Sequence, residues 1–491
     1  MNSRGRLLFT LALGLLLAGC ARTPIASITP AEREAIAATL MRDIEVLASD
    51  EFGGRKPGTD GEFRTVEFLM REMQSAGLVS GTNDPGSAWR APVELLSLRL
   101  DGGTVSFDVG GRTIELEDDE AVIFTGRSRN LLADAEIVFL GNEAGEIPQE
   151  VVEGKVVLLL DDYGIDASRS VSLLEKRAAA ILNVVDSERK VAQFASAIGQ
   201  ERIGRLSDEA DLFEGYVTAR SMARVFGTSQ WSALRTNAAM EGFQPVILNA
   251  KVSMEATAFR REFTSYNVIG LLPGTVRGSG AVLLMAHWDH LGTCAEEGPD
   301  TICNGAVDNA SGLAVMLELS RRLAAKGPHD RDIYVLATSA EELGLFGARA
   351  FIENPPMPLA TITAAFNFDT VAVAPAGTPV GYIGEGRTPL DETIKQVVTA
   401  SGRELGNRDF AESFLRRHDG WAFLEQGVPA VLLSSTFSSA IVAGPYLAEN
   451  YHRPSDEAAE IELGGAIDDL LLHEELVTRF ASTQLYSPPE E

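Results

Sequence analysis

Cysteine, basic charge and long apolar runs are all in short supply in this chain. Only three Cys occur in 491 residues, none in a C-x-x-C pair, so a zinc site built on thiolates is a poor reading. Lys and Arg number 42 against 70 Asp and Glu, a formal charge of -28 that repels phosphate backbones and anionic head groups. Nucleic acid is excluded as a partner on that ground. Past residue 20 no continuous apolar stretch approaches about 18 residues, so no membrane-spanning helix is expected. What is present is an ordinary globular supply, 45% apolar and 23% charged, which can build a core and is not the composition of a disordered chain. The length suggests two or three domains.

Residues 1–19 read as a signal peptide: Arg4 and Arg6 precede an apolar run, 7–17, that is too short to span a bilayer but suits a secretory segment. Leu17-Ala18-Gly19-Cys20 follows and resembles a bacterial lipobox, in which Cys20 becomes the acylated first residue. Ala21 in place of Asp resembles lipoproteins sent on to the outer membrane. The expectation is an exported protein, lipid-anchored at Cys20, facing the periplasm and touching the membrane through its lipid only. Cys294 and Cys303 then remain, in a compartment that permits disulfides. Their spacing also allows free thiols or soft metal ligands; the reading taken is a disulfide closing a small surface loop.

After a tether at 20–28, Thr29-Pro30-Ala31-Glu32 has the form of a capping box and predicts a helix to about Leu47. The segment 52–61, with four Gly and one Pro, reads as a loop, and Val66, Leu69, Met70 and Met73 predict a second helix that stops at Gly77. These open a main domain at 29–95. Between 96 and 255 the texture changes to short β-rich runs at 104–109, 113–116, 136–140 and 155–160, an amphipathic stretch at 172–180 and an apolar run at 181–185. That reads as an inserted β-rich α/β module with no chemical motif of its own. From 256 to 485 continuous apolar runs at 281–286, 333–337, 362–368 and 430–433 alternate with helices. Such alternation implies an α/β fold with a mostly parallel central sheet covered by helices on both faces.

The polar residues of interest lie just past the carboxyl ends of those strands, where open α/β sheets form their ligand crevice. His287 and Asp289 follow the first run, Glu341 and Glu342 the second, Asp369 the third, and Asp308 stands at the start of a helix. Histidine and carboxylate without thiolate suit Zn²⁺, Mn²⁺ or Co²⁺, and a pair of such ions needs one carboxylate to bridge them. Adjacent Glu341 and Glu342 cannot face one ion equally, so one can be a ligand and the other a base. His290, His329 and His473 read as ordinary surface or packing residues.

Five motifs in order then become recognisable: Ala286-His287-Trp288-Asp289-His290-Leu291-Gly292, Gly305-Ala306-Val307-Asp308-Asn309-Ala310-Ser311-Gly312, Ala340-Glu341-Glu342-Leu343-Gly344-Leu345-Phe346-Gly347, Asn367-Phe368-Asp369 and Tyr451-His452-Arg453-Pro454. Together with Gly54-Arg55-Lys56-Pro57-Gly58-Thr59 and Tyr266-Asn267-Val268-Ile269-Gly270 they resemble the M28 family of zinc metallopeptidases, of the bacterial leucyl aminopeptidase type. The resemblance implies a zinc aminopeptidase-like fold and two Zn²⁺ bridged by Asp308, one completed by His287 and Asp369, the other by Glu342 and His452. It makes Glu341 the general base and has Asp289 hydrogen-bond the outward ring nitrogen of His287. It also implies a strained or cis peptide bond next to Asp308, peptides as substrates, and a protease-associated domain as the inserted module. The family pattern Ser-Asp-His-x-x-Phe is His418-Asp419-Gly420-Trp421-Ala422-Phe423 here; the change bears on substrate preference, and His418 reads as facing solvent. Two other functions fit the same scaffold: one-zinc cyclisation of N-terminal glutamine, and a non-catalytic receptor-like ectodomain. Such ectodomains lose metal ligands, whereas this chain keeps all five.

Overall fold

The computed structural model describes residues 28–142, 147–160, 167–208, 212–295 and 297–489. The expected signal peptide, Cys20 and all but the last residue of the tether lie outside the described residues. The first helix, α1 (Pro30–Leu47), starts as predicted, with the Thr29 hydroxyl accepting from the Glu32 backbone N–H at 3.2 Å. The segment read as a loop opens with a short 3-10 turn, Asp50–Arg55, and leads into α2 (Asp60–Ser75). Two more helices matter for the site, α3 (Gly312–Lys326) and α4 (Leu463–Phe480).

The strands are β1 (Arg90–Val109), β2 (Arg129–Gly141), β3 (Val156–Leu160), β4 (Ala180–Val185), β5 (Phe213–Thr218), β6 (Val246–Leu272), β7 (Ala281–His287), β8 (Asp332–Thr338), β9 (Ile362–Asn367), β10 (Gly381–Ile383) and β11 (Ala430–Ser434), with shorter strands between. Strands β11, β9, β7 and β8 lie side by side and parallel; β10 and β6 flank them antiparallel. The mostly parallel sheet is therefore as expected, and every residue of β7, β9 and β11 is buried. Alternate residues feed opposite cores. Val282, Leu284 and Ala286 pack with α1, α2, α3 and α4, while Ala281, Leu283 and Met285 pack with Leu336, Phe351 and Phe423 on the other face.

The middle of the chain has its own core, centred on Phe107, Phe139, Leu158, Leu182, Val217 and Trp231. Strands β2, β3, β4 and β5 form a second parallel group there. Two features differ from the sequence reading. Of the stretch 172–180, residues 172–175 end a helix, Ala167–Glu175, and a short turn at 176–179 leads into β4. More consequentially, β1 and β6 are long strands of 20 and 27 residues that pair antiparallel from Arg90↔Val268 to Asp108↔Lys251, with one bulge at Thr257/Ala258. The expected boundaries at 95/96 and 255/256 fall inside these strands. Asp101-Gly102-Gly103 and Arg260-Arg261-Glu262 lie where the ribbon passes between the two cores, so hydropathy breaks there although the ladder does not.

Cys294 and Cys303 are disulfide-bonded, with Cα atoms 5.7 Å apart, beside a small ladder that pairs Gly292 with Cys303. Replacing both with Ser is expected to cost about 3 kcal/mol or less, because the loop closed is short. Urea unfolding of the variant beside the wild type checks this.

Candidate metal centre

Because β7, β8 and β9 are parallel, their carboxyl ends deliver His287, the Glu341-Glu342 turn and Asp369 to one edge of the sheet. Asp308 arrives from the opening turn ahead of α3, and its peptide bond to Asn309 is cis. This turn is held from three sides. Asp456 accepts from the backbone N–H groups of Val307 (2.9 Å) and Asp308 (3.1 Å), and the Asn309 amide donates to Phe368 O at 2.9 Å. Arg55, wholly buried, donates to four carbonyls: Trp288 (2.8 Å), Leu47 (2.8 Å), Asn304 (2.5 Å) and Gly305 (2.9 Å). Gly54 beside it is needed for the close approach of the two segments, since a Cβ there would stand 2.4 Å from Cys303 O.

The structure brings together all five residues expected as ligands. Nε2 of His287 lies 3.2 Å from Oδ1 of Asp308 and 3.6 Å from Oδ1 of Asp369. Nε2 of His452 lies 3.4 Å from the other Asp308 oxygen, Oδ2, and 3.0 Å from Oε2 of Glu342. Donor atoms around a tetrahedral zinc stand about 3.3 Å from one another, given bonds of ~2.0–2.1 Å. Nε2 of His452 is buried and has no hydrogen-bond partner among the described residues. Both the spacing and the donor chemistry fit two divalent ions of the borderline-hard kind, sharing Asp308.

The electrostatics agree with that fit. Asp289, Asp308, Glu341, Asp369 and Asp419 are all buried at one strand edge with Glu342, and Arg55 is the buried cation behind them. Burial alone would protonate Asp308, yet His287, His452 and His290 hold its carboxyl well below the usual range. Burial opposes charge on His452 too, but Asp308 and Glu342 push it up to about 10. Burial, aided by Asp419, Glu342 and Asp369 and opposed by His287, raises Glu341 well above an ordinary carboxylate.

Three residues are placed differently from the sequence reading. Asp289 does not reach the ring of His287 with its carboxylate, which stands 3.9 Å away; its backbone carbonyl takes the Nδ1 contact instead, at 3.1 Å. The carboxylate accepts from the backbone N–H groups of Glu341 (2.9 Å) and Glu342 (3.3 Å), pinning the turn that carries both glutamates. His290, read as a packing residue, is buried in the site with Nδ1 2.6 Å from Oε1 of Glu342. Gly305 makes room for it, since a Cβ there would meet the ring at 2.6 Å. His418 does not face solvent: it is buried, burial pulls it down to about 4, and it lines the pocket over the site. His473, by contrast, is a packing residue, buried against Phe366 and Phe368. Asp456 carried no sequence signal beyond its place four residues after His452.

The pocket over the site is lined by His287, Asp308, Glu341 and Asp369 together with the apolar side chains of Ile383, Phe414, Leu432, Phe437 and Leu447. Arg417 and Tyr451 also line it.

The sequence profile of peptidase family M28 matches residues 267–469, the stretch that supplies every residue of the cluster. "Aminopeptidase YwaD" of Bacillus subtilis is 32% identical over 126 residues, a quarter of this chain and a quarter of its own length. "Probable lipoprotein aminopeptidase LpqL" of Mycobacterium tuberculosis is 34% identical over 445 residues, 87% of this chain and 76% of that one. Among solved structures, an aminopeptidase from Aneurinibacillus sp. strain AM-1 shares the fold with a TM-score of 0.53 at 19% identity, over 93% of this chain and 96% of that one. With the strand-edge cluster inside the matched stretch and a relative aligned over most of both lengths, the chain belongs to peptidase family M28.

Proposed function

We propose that the chain is a two-zinc aminopeptidase that removes residues from the N-termini of peptides, with Glu341 as general base. The observation that carries this reading is the division of Asp308: Oδ1 lies with His287, and Oδ2 with His452. His287 and Asp369 would hold one ion, Glu342 and His452 the other. Zinc bound there supplies Lewis-acid chemistry to water and to the peptide carbonyl. Glu341, its proton affinity raised by burial, takes the proton of the attacking water and passes it to the departing amine. Surplus carboxylate at the cluster suits a substrate's α-ammonium, and the apolar lining suits an apolar N-terminal side chain. The names of the relatives support aminopeptidase action and do not favour a one-zinc glutaminyl cyclase.

The reading extends to place: a lipoprotein anchored at Cys20 and exposed to the periplasm from the outer membrane, with the inserted module acting as a protease-associated domain. The lipobox-like residues and the name of the mycobacterial relative support the anchor, and no helix among the described residues is long and apolar enough to cross a membrane. Metal analysis of the purified protein, with aminoacyl-nitroanilide and peptide panels, tests the whole. Two zinc ions per chain and release of N-terminal residues are expected.

His290 enters through Glu342, which divides its oxygens as Asp308 does: Oε2 faces His452 while Oε1 takes Nδ1 of His290 at 2.6 Å. So short a separation is that of a charge-assisted hydrogen bond, not of two donors on one ion. His290→Asn, whose amide can donate from the same place, is expected to keep metal at the Glu342 position. His290→Phe is expected to weaken it about 10- to 100-fold, read by competition with a chromophoric chelator. Equal loss in both would make His290 itself a ligand.

A further inference from the structure

The loop 418–423 departs from the family pattern by placing His at 418 and Gly at 420, and the two departures are linked in space. A Cβ at Gly420 would stand 2.7 Å from Cε1 and 2.9 Å from Nδ1 of His418, so the imidazole fills the room that a side chain at 420 would need. The backbone N–H of Gly420 donates to Nδ1 of His418 at 3.1 Å, and Nδ2 of Asn367 lies 3.4 Å from the same atom. A backbone amide can only donate, so Nδ1 must offer a lone pair, and the ring carries its proton on Nε2. Nε2 is buried and meets no acceptor among the described residues. The same ring lines the pocket together with Asp308, Glu341 and Asp369. A buried donor without an acceptor is costly to keep, and this one belongs to a ring that lines the pocket beside the carboxylates.

Of the groups a peptide N-terminus brings, the α-ammonium has only donors and is matched by carboxylates; the carbonyl oxygen of the first residue is the acceptor. We propose that His418 is a catalytic residue whose Nε2–H hydrogen-bonds the carbonyl oxygen of the scissile bond and stabilises the negative charge that develops on it. This rests on the aminopeptidase reading and adds a donor to it that belongs to this chain's departure from the family pattern. Such a donor matters most in the transition state, where the oxygen is most charged, and less in the ground state.

The test uses the zinc-loaded mature chain, a leucine nitroanilide as substrate and the boronic-acid analogue of leucine as a tetrahedral mimic. His418→Phe keeps a flat ring and removes the donor; His418→Gln places an amide N–H near the position of Nε2. For His418→Phe, kcat is expected to fall about 10²-fold, KM to stay within about threefold, and the boronate to bind about 10²-fold more weakly. Zinc content and Tm should stay at the wild-type values, and His418→Gln should recover about a tenth or more of the lost rate. Should His418→Phe fail to fold, His418→Asn removes the same donor at smaller volume and is read the same way. A kcat within about threefold of wild type, a loss confined to KM, or a folded, zinc-replete His418→Gln no better than Phe overturns the proposal. A zinc-loaded wild type inactive on every peptide overturns the aminopeptidase reading and this proposal with it; an active wild type matched by His418→Phe overturns this proposal alone.

Discussion

Glu341→Gln is expected to lower kcat by about 10²-fold or more while zinc content stays at the wild-type value. Gln keeps the size of the side chain and its capacity to hydrogen-bond, and loses only the basic oxygen. The backbone N–H of Glu341 still reaches the Asp289 carboxylate at 2.9 Å, so the turn should hold its shape. Glu342→Gln should behave in the opposite sense. Its carboxylate oxygens lie 3.0 Å from His452 and 2.6 Å from His290, and removing the negative charge there should empty one metal position before it touches anything else. Metal content and steady-state kinetics on the two variants separate the roles. Zinc lost from Glu341→Gln and kept by Glu342→Gln would mean that the two are exchanged; full activity in both would remove the hydrolase reading.

Asp308→Asn should be the more damaging change. The Asp308 carboxylate has an oxygen within 3.2 Å of the His287 ring nitrogen and another within 3.4 Å of that of His452, and an amide offers one oxygen and one NH₂ in their place. The substitution is isosteric, so the N–H bonds from Val307 and Asp308 to Asp456 should survive and the chain should fold. Zinc is expected to fall from two ions to one or none per chain, with activity down by about 10³-fold or more as the paired-metal chemistry goes with it. Two ions retained by a folded Asp308→Asn would remove the bridging role.

Much of the sheet was legible because its strands are buried on both sides and so read as unbroken apolar runs; β7, β9 and β11 are of this kind. The place of Glu341, Glu342 and Asp369 was legible for a related reason: a charge soon after such a run lands at the sheet edge, whereas Asp308 was legible from its place at the start of a helix. The long ribbon β1–β6 was not, because a strand lying between two cores has a solvated middle, and Arg260-Arg261-Glu262 looks like a break. His290 and His418 were misread for want of a partner in sequence. What buries them is the absence of a side chain at Gly305 and at Gly420, which only the folded chain brings alongside. Asp289 shows a limit of analogy: the residue sits at the site, but its carbonyl makes the contact assigned to its carboxylate.

Arg55 spends all four of its hydrogen bonds on carbonyl oxygens and none on a carboxylate. Burial draws its guanidinium down to about 10, still far above neutral, while Asp308, Asp456, Asp289 and Glu342 pull it the other way. Its charge is therefore not cancelled by a local partner, and its field is left to act on the carboxylates in front of it. A permanent cation behind the cluster lessens their mutual repulsion before any divalent ion arrives, and it tempers the attraction once one has. A cation so placed favours loops that come together ahead of the metal, which would make metal loading a step separable from folding.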